Sequence, residues 1–68
     1  MKVLSLLEES YNAKRKLVSI MECRSNRTIV MLADDLNESL NWFRDYPKDK
    51  DNCFKLQNLL KRVKRYKI

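Results

Sequence analysis

Glycine is missing from this chain altogether, and proline occurs once, at Pro47. Tight β-hairpin turns rely on glycine, or on Asn-Gly pairs, for the positive φ angles they need. A chain without them is poorly suited to several hairpins and well suited to helices joined by short connections. Histidine is missing too, which removes the usual general base and the commonest metal ligand. Cys23 and Cys53 lie far apart with no companion ligands, so they make no zinc site. No glycine-rich loop is present to cradle a phosphate or a dinucleotide. The carboxylate clusters Glu8-Glu9 and Asp34-Asp35-Glu38 read as solvated helix charges, and Ser19 and Ser39 have no base to activate them. The expectation is a protein that is not an enzyme, with no cofactor, metal or small-molecule substrate.

Long hydrophobic runs are also lacking. Nothing approaches the roughly 18 apolar residues of a membrane span, and the apolar stretch after Met1 is too short for a secretory signal. A cytoplasmic protein with both thiols reduced is therefore expected. A Cys23–Cys53 bridge would need export by another route.

What the chain does have is a hydrophobic content of 44% in 68 residues, enough to favour folding over disorder. One domain spanning residues 1–68 is expected. A chain this short buries only about 60% of its unfolded surface, which leaves little material to shape a deep pocket.

Apolar periodicity predicts three helices, over about residues 2–23, 27–45 and 51–67. On the first, Val3, Leu6, Leu7, Tyr11, Ala13, Leu17, Val18, Ile20 and Met21 share an arc wider than one neighbouring helix requires. That breadth suits a helix packed between two others, or one that also meets a second subunit, so dimerisation is an option. Asn12 is a point where this helix can break. The β-branched Thr28-Ile29-Val30 would suit a strand in isolation. The recurrence of Ile29, Leu32, Ala33, Leu36, Leu40 and Phe43 at three- and four-residue steps argues for a helix instead. Asn26 can end the first helix in a left-handed conformation, and Ser25 or Asn26 can cap the second. Pro47 closes the second helix, and Asp49 or Asp51 can cap the third. Leu56, Leu59, Leu60, Val63 and Tyr66 form the buried side of that third helix. The fold expected is an all-α three-helix bundle.

Charge is segregated along the chain. All nine acidic residues lie at or before Asp51. Of the 15 basic residues, six (Lys55, Lys61, Arg62, Lys64, Arg65 and Lys67) follow it. That leaves 15 − 6 = 9 in residues 1–54, so the whole net charge of +6 belongs to the last fourteen residues.

The basic run Lys61, Arg62, Lys64, Arg65 and Lys67 would form a cationic ridge opposite the leucines, spaced to meet the phosphates of a nucleic acid. Tyr66 can add base stacking. Arg15 and Lys16 would extend the surface if they lay beside the ridge, whereas Lys14 falls within the apolar arc and can snorkel, bend the helix or admit an acidic partner. The plainer alternative is a solvated face that keeps the protein soluble. Five basic residues in seven, with no acid between them, exceed that need. Such a run also resembles a nuclear import signal, and a basic amphipathic helix can lie on an anionic membrane surface.

The second helix carries the opposite sign. Asp34, Asp35, Glu38 and Asp45 share its outer face with Met31 and Trp42. Trp42 and Met31, or Leu7 on the broad arc, would anchor a protein partner. The favoured reading of Trp42 itself is that it folds over the bundle edge and covers core. The basic third helix can also dock on the acidic second helix, inside the fold or across a dimer. Two functions follow: a nucleic-acid-binding regulator acting through the C-terminal helix, or an inhibitor or adaptor docking on a larger protein. Both suit small regulators of the kind phages and mobile elements carry, an analogy of size and charge only.

Overall fold

The computed structural model describes residues 3–66, with side chains from Ser5 onwards. The side chain of Val3 and all of Lys67 lie outside the described residues. Three helices make up the domain: α1 (Val3–Cys23), α2 (Arg27–Asp45) and α3 (Lys50–Lys64). No strand occurs among the described residues. No helix among them is long and apolar enough to cross a membrane.

The element boundaries follow from local hydrogen bonding. Asn26 is extended, at φ −139°, and its Oδ1 accepts from the Ile29 amide at 3.0 Å. It therefore caps α2 and does not end α1 in a left-handed turn; no described residue has a positive φ. An N-cap of this type stabilises a helix by about 1 kcal/mol. Residues 24–26 suffice as the connection because the Arg24 amide still bonds back to the Ile20 carbonyl. Asp49 caps α3, its Oδ1 accepting from the Asn52 amide at 3.1 Å. At the other end α3 stops at Lys64, short of the expected residue 67. The amides of Arg65 and Tyr66 bond to Arg62 and Val63 and tighten the final turn.

α1 runs unbroken through Asn12, whose Oδ1 accepts from Arg15 one turn later. Its inward stripe is narrower than its apolar arc: Leu6, Ser10, Ala13, Leu17 and Ile20 are buried. Leu7 and Met21 are half-buried against the core, whereas Tyr11 and Val18 are exposed. The excess width is thus surface. Ser10 tolerates full burial because its hydroxyl donates to the Leu6 carbonyl at 2.7 Å. α2 buries the stripe that its periodicity predicts, Ile29, Leu32, Leu36, Leu40 and Phe43.

α1 and α2 form an antiparallel hairpin, tied across its outer edge where Lys14 Nζ donates to Asn37 Oδ1 at 2.9 Å. α3 does not simply run alongside α1. Its first turn is held on α2 by a reciprocal pair: Ser39 Oγ donates to Asn52 Oδ1 and Asn52 Nδ2 donates to the Ser39 carbonyl. Its last turn reaches the N-terminal half of α1, where Lys64 meets Glu9 and shares a cleft with Asn12, Ala13 and Lys16. Ser39 and Glu9 lie at a similar level of the hairpin, given the Lys14–Asn37 tie. α3 therefore crosses the hairpin from α2 to α1, with Leu56, Leu59, Leu60 and Val63 pressed into it.

This core is small enough for single residues to matter. Leu56 is fully buried, and Leu56→Ala is expected to cost about 2–5 kcal/mol, a large part of the 5–15 kcal/mol of a typical domain. Val18→Ala, on the exposed part of the α1 arc, is expected to change stability by less than about 0.5 kcal/mol. Urea unfolding followed by circular dichroism checks both, and a large loss from Val18→Ala would show that the arc is buried after all.

Candidate nucleic-acid interface

The apolar stripe of α3 decides where its charges go. Because Leu56, Leu59, Leu60 and Val63 face the hairpin, the opposite side of the helix faces solvent. Lys61 and Arg65 are exposed there, and Lys55, Arg62 and Lys64 are exposed along its flanks. No acidic residue follows Asp51 along the helix. Part of this arrangement serves the helix itself, since Lys61, Arg62 and Lys64 lie in the last turn, where cations offset the negative end of the dipole by about 0.3–1 kcal/mol each. That role leaves Lys55 unexplained, far from the C-terminal end.

The tertiary structure separates the two α1 candidates. Lys16 lines the same cleft as Lys64, together with Glu9, Asn12, Ala13, Leu60 and Val63. It therefore adds to the α3 surface. Arg15 instead borders a groove on α1 with Leu7, Glu8, Tyr11 and Lys14, and its guanidinium donates to Asn12. It is not brought to the α3 surface.

Opposing charge reaches α3 from both neighbours. Lys64 Nζ stands 3.9 Å from Glu9 Oε1, with both side chains well exposed, so the pair contributes at most about 1 kcal/mol. Lys55 borders a cleft with Glu38 and Asp51. The expected docking of α3 on the acidic face of α2 is therefore limited to this N-terminal end, and the ion pair of Lys64 is to α1. Lys61, Arg62 and Arg65 remain exposed on the outer face.

Tyr66 is half-buried against the core, which takes it away from the base-stacking role. The aromatic residue that α3 does expose is Phe54, at 68%. It is absent from the sequence-based set of candidates. The signal was present: the periodicity that buries Leu56, Leu60 and Val63 puts Phe54 in line with Asn58, Lys61 and Arg65, at steps of four, three and four residues.

The residues considered for a protein partner do not form one patch. Trp42 is 49% exposed and does not cover core, contrary to expectation. Its indole N–H donates to Asp49 Oδ2 at 2.7 Å, and its ring lies against Tyr46 with centroids 4.5 Å apart. These partners draw it over the α2–α3 connection. Met31 is exposed on the same side of α2, but three helical turns away, with Asp35 and Glu38 between. Leu7 is half-buried on α1.

The connection has an electrostatic signature. The Asp49 carboxyl is held below its ordinary pKa by the hydrogen bond from Trp42, then by the Asn52 amide, with burial opposing and the Asp51 amide assisting. Cys53 and Cys23 are free thiols, and Cys53 Sγ lies 3.5 Å from the Pro47 carbonyl. Among the described residues there is no group of three or more Cys, Asp or Glu that could hold a metal ion.

No protein-family profile, curated protein or solved structure matches the chain.

A depressed carboxylate pKa means that the stabilisation from charged Asp49 is present above the unfolded value of about 3.9 and lost as pH falls through the lower native value. Asn caps a helix about as well as Asp, so Asp49→Asn isolates the charge. The melting temperature of the wild type is expected to exceed that of Asp49→Asn at pH 6, and the gap to close as pH falls below about 4. A gap independent of pH between 6 and 2 would show that the carboxylate charge contributes nothing.

Proposed function

We propose that this protein is a regulatory nucleic-acid-binding protein that acts through the basic outer face of α3, with no catalysis of its own. The observation that carries the reading is the coincidence of two independent patterns on one helix. The apolar stripe faces inward, Lys61 and Arg65 are left exposed opposite it, and Arg62 and Lys64 are exposed along its two flanks. Lys16 adds a further cation from α1 through the shared cleft, and Lys67 lies outside the described residues. Each cation that meets a phosphate releases a condensed counterion, which is the main source of sequence-independent affinity.

The protein-docking alternative has less behind it. Its best feature is the exposed Trp42 beside Tyr46. Carboxylates separate that pair from Met31, and the indole N–H is already engaged by Asp49.

On the proposed reading, fluorescence anisotropy with labelled nucleic acid gives saturable binding that weakens steeply with salt. The log–log slope is expected near −4 if about five phosphates on duplex DNA are neutralised. Replacing Lys61, Arg62 and Arg65 together with Glu should abolish binding while the circular dichroism spectrum stays helical. Retained binding in that variant, or no binding by the wild type at low salt, would remove the assignment.

A further inference from the structure

The outer face of α3 has a layered arrangement of chemistry. Its central line runs through Phe54, Asn58, Lys61 and Arg65, all exposed and all opposite the buried leucines. Lys55 and Arg62, seven residues apart, lie along one flank of that line. Lys64 lies along the other, next to Lys16 of α1. Lys61 and Arg65 thus share the central line with an amide and an aromatic ring, and further cations flank it on both sides. Phosphate contact alone would need no amide or ring at the centre.

Resting on the reading of α3 as a nucleic-acid surface, we propose that α3 enters the major groove of duplex DNA and reads base edges with Phe54, Asn58, Lys61 and Arg65. The dimensions agree. A helix with its side chains is about 10–12 Å across, and the major groove is about 12 Å wide. The 15 residues of α3 span about 22 Å, enough to lie along the groove with the hairpin behind it. The flanking cations then face the two phosphate strands, Arg62 on one side and Lys64 on the other. Lys64 gives up only a weak, exposed pair with Glu9 to do so.

The central side chains suit base edges in type. Asn58 presents an amide that can donate and accept at once, the pattern adenine offers in the major groove. Lys61 and Arg65 match the acceptor pair of guanine, and Phe54 offers apolar contact to a thymine methyl. A lone exposed Phe on a small protein needs no explanation by itself. Phe54 stands in register with two cations and an amide, on the face farthest from the core.

Asp51 and Glu38 border Lys55 near the N-terminal end of α3, so the phosphate contacts of the flanks fall to Arg62 and Lys64 further along the helix. Single-stranded nucleic acid fits less well. Its binding surfaces stack successive bases on several aromatic rings, and Tyr66, the other aromatic on this segment, is half-buried against the core. In A-form duplex RNA the major groove is too narrow and deep for side chains to read.

The test is selection from a random duplex DNA library, followed by anisotropy at fixed salt. The selected duplex is compared with a scrambled duplex, duplex RNA and single-stranded DNA. The expected result is a consensus bound at least about tenfold more tightly than the scramble, with duplex RNA and single strands no better than the scramble. Asn58→Ala and Phe54→Ala, both at exposed positions, are each expected to erase about tenfold of that preference while leaving affinity for the scramble and the salt slope unchanged. Lys64→Gln is expected to weaken both duplexes equally. Recovery of no consensus, tighter binding to single strands, or a preference that survives Asn58→Ala and Phe54→Ala together would overturn groove reading and leave the nucleic-acid assignment standing. Absence of binding to every probe would overturn both.

Discussion

The seating of four apolar side chains of α3 across the α1–α2 hairpin is the constraint on which the rest of the structure depends. Leu56, Leu59, Leu60 and Val63 are all buried, and removing such a residue from water stabilises by about 1.5–3 kcal/mol. The hairpin alone would leave one side of its apolar stripes without cover. The stripe of α3 closes that side, and in doing so determines the rotation of α3 about its own axis. Every other residue of the helix takes its surroundings from that rotation.

The polar contacts refine this arrangement. Ser39 and Asn52 satisfy each other in two hydrogen bonds where α3 first meets α2, so a buried serine carries no unpaired group. Asp49 caps α3, accepts from Trp42 and thereby binds the end of α2 to the start of α3. Neither contact would orient the helix without the leucine stripe. Together they fix where on α2 the crossing begins, and the Glu9–Lys64 pair marks where on α1 it ends. On the proposed function, the same crossing presents the outer face of α3 to a nucleic acid with the hairpin standing behind it.

Much of this was legible in the residue order. Helix number, the α2 stripe and the α3 stripe follow from periodicity, because burial against one partner face imposes a period near 3.6 whatever the partner is. Asn26 and Asp49 were legible as caps because their short side chains reach their own backbone. The α1 arc is wider than the surface its two neighbours cover. Tyr11 and Val18 are apolar enough to be buried, but only two helices are available to cover α1, and they meet it along the narrower line of Leu6, Ala13, Leu17 and Ile20. Trp42 was expected over the core and lies over the connection, since Asp49 and Tyr46 become its neighbours only when Pro47 turns the chain back.

By itself, then, the sequence determined that the domain is helical, where its helices begin and end to within a few residues, and that its excess of positive charge falls in the C-terminal segment. These are properties of neighbouring residues and of composition, and they act before the chain is compact. The crossing of α3 over the hairpin and the assignment of Lys16 but not Arg15 to its surface were decided by tertiary structure. Each depends on which apolar surfaces meet and at what angle, a contest among residues far apart in the chain that only packing resolves.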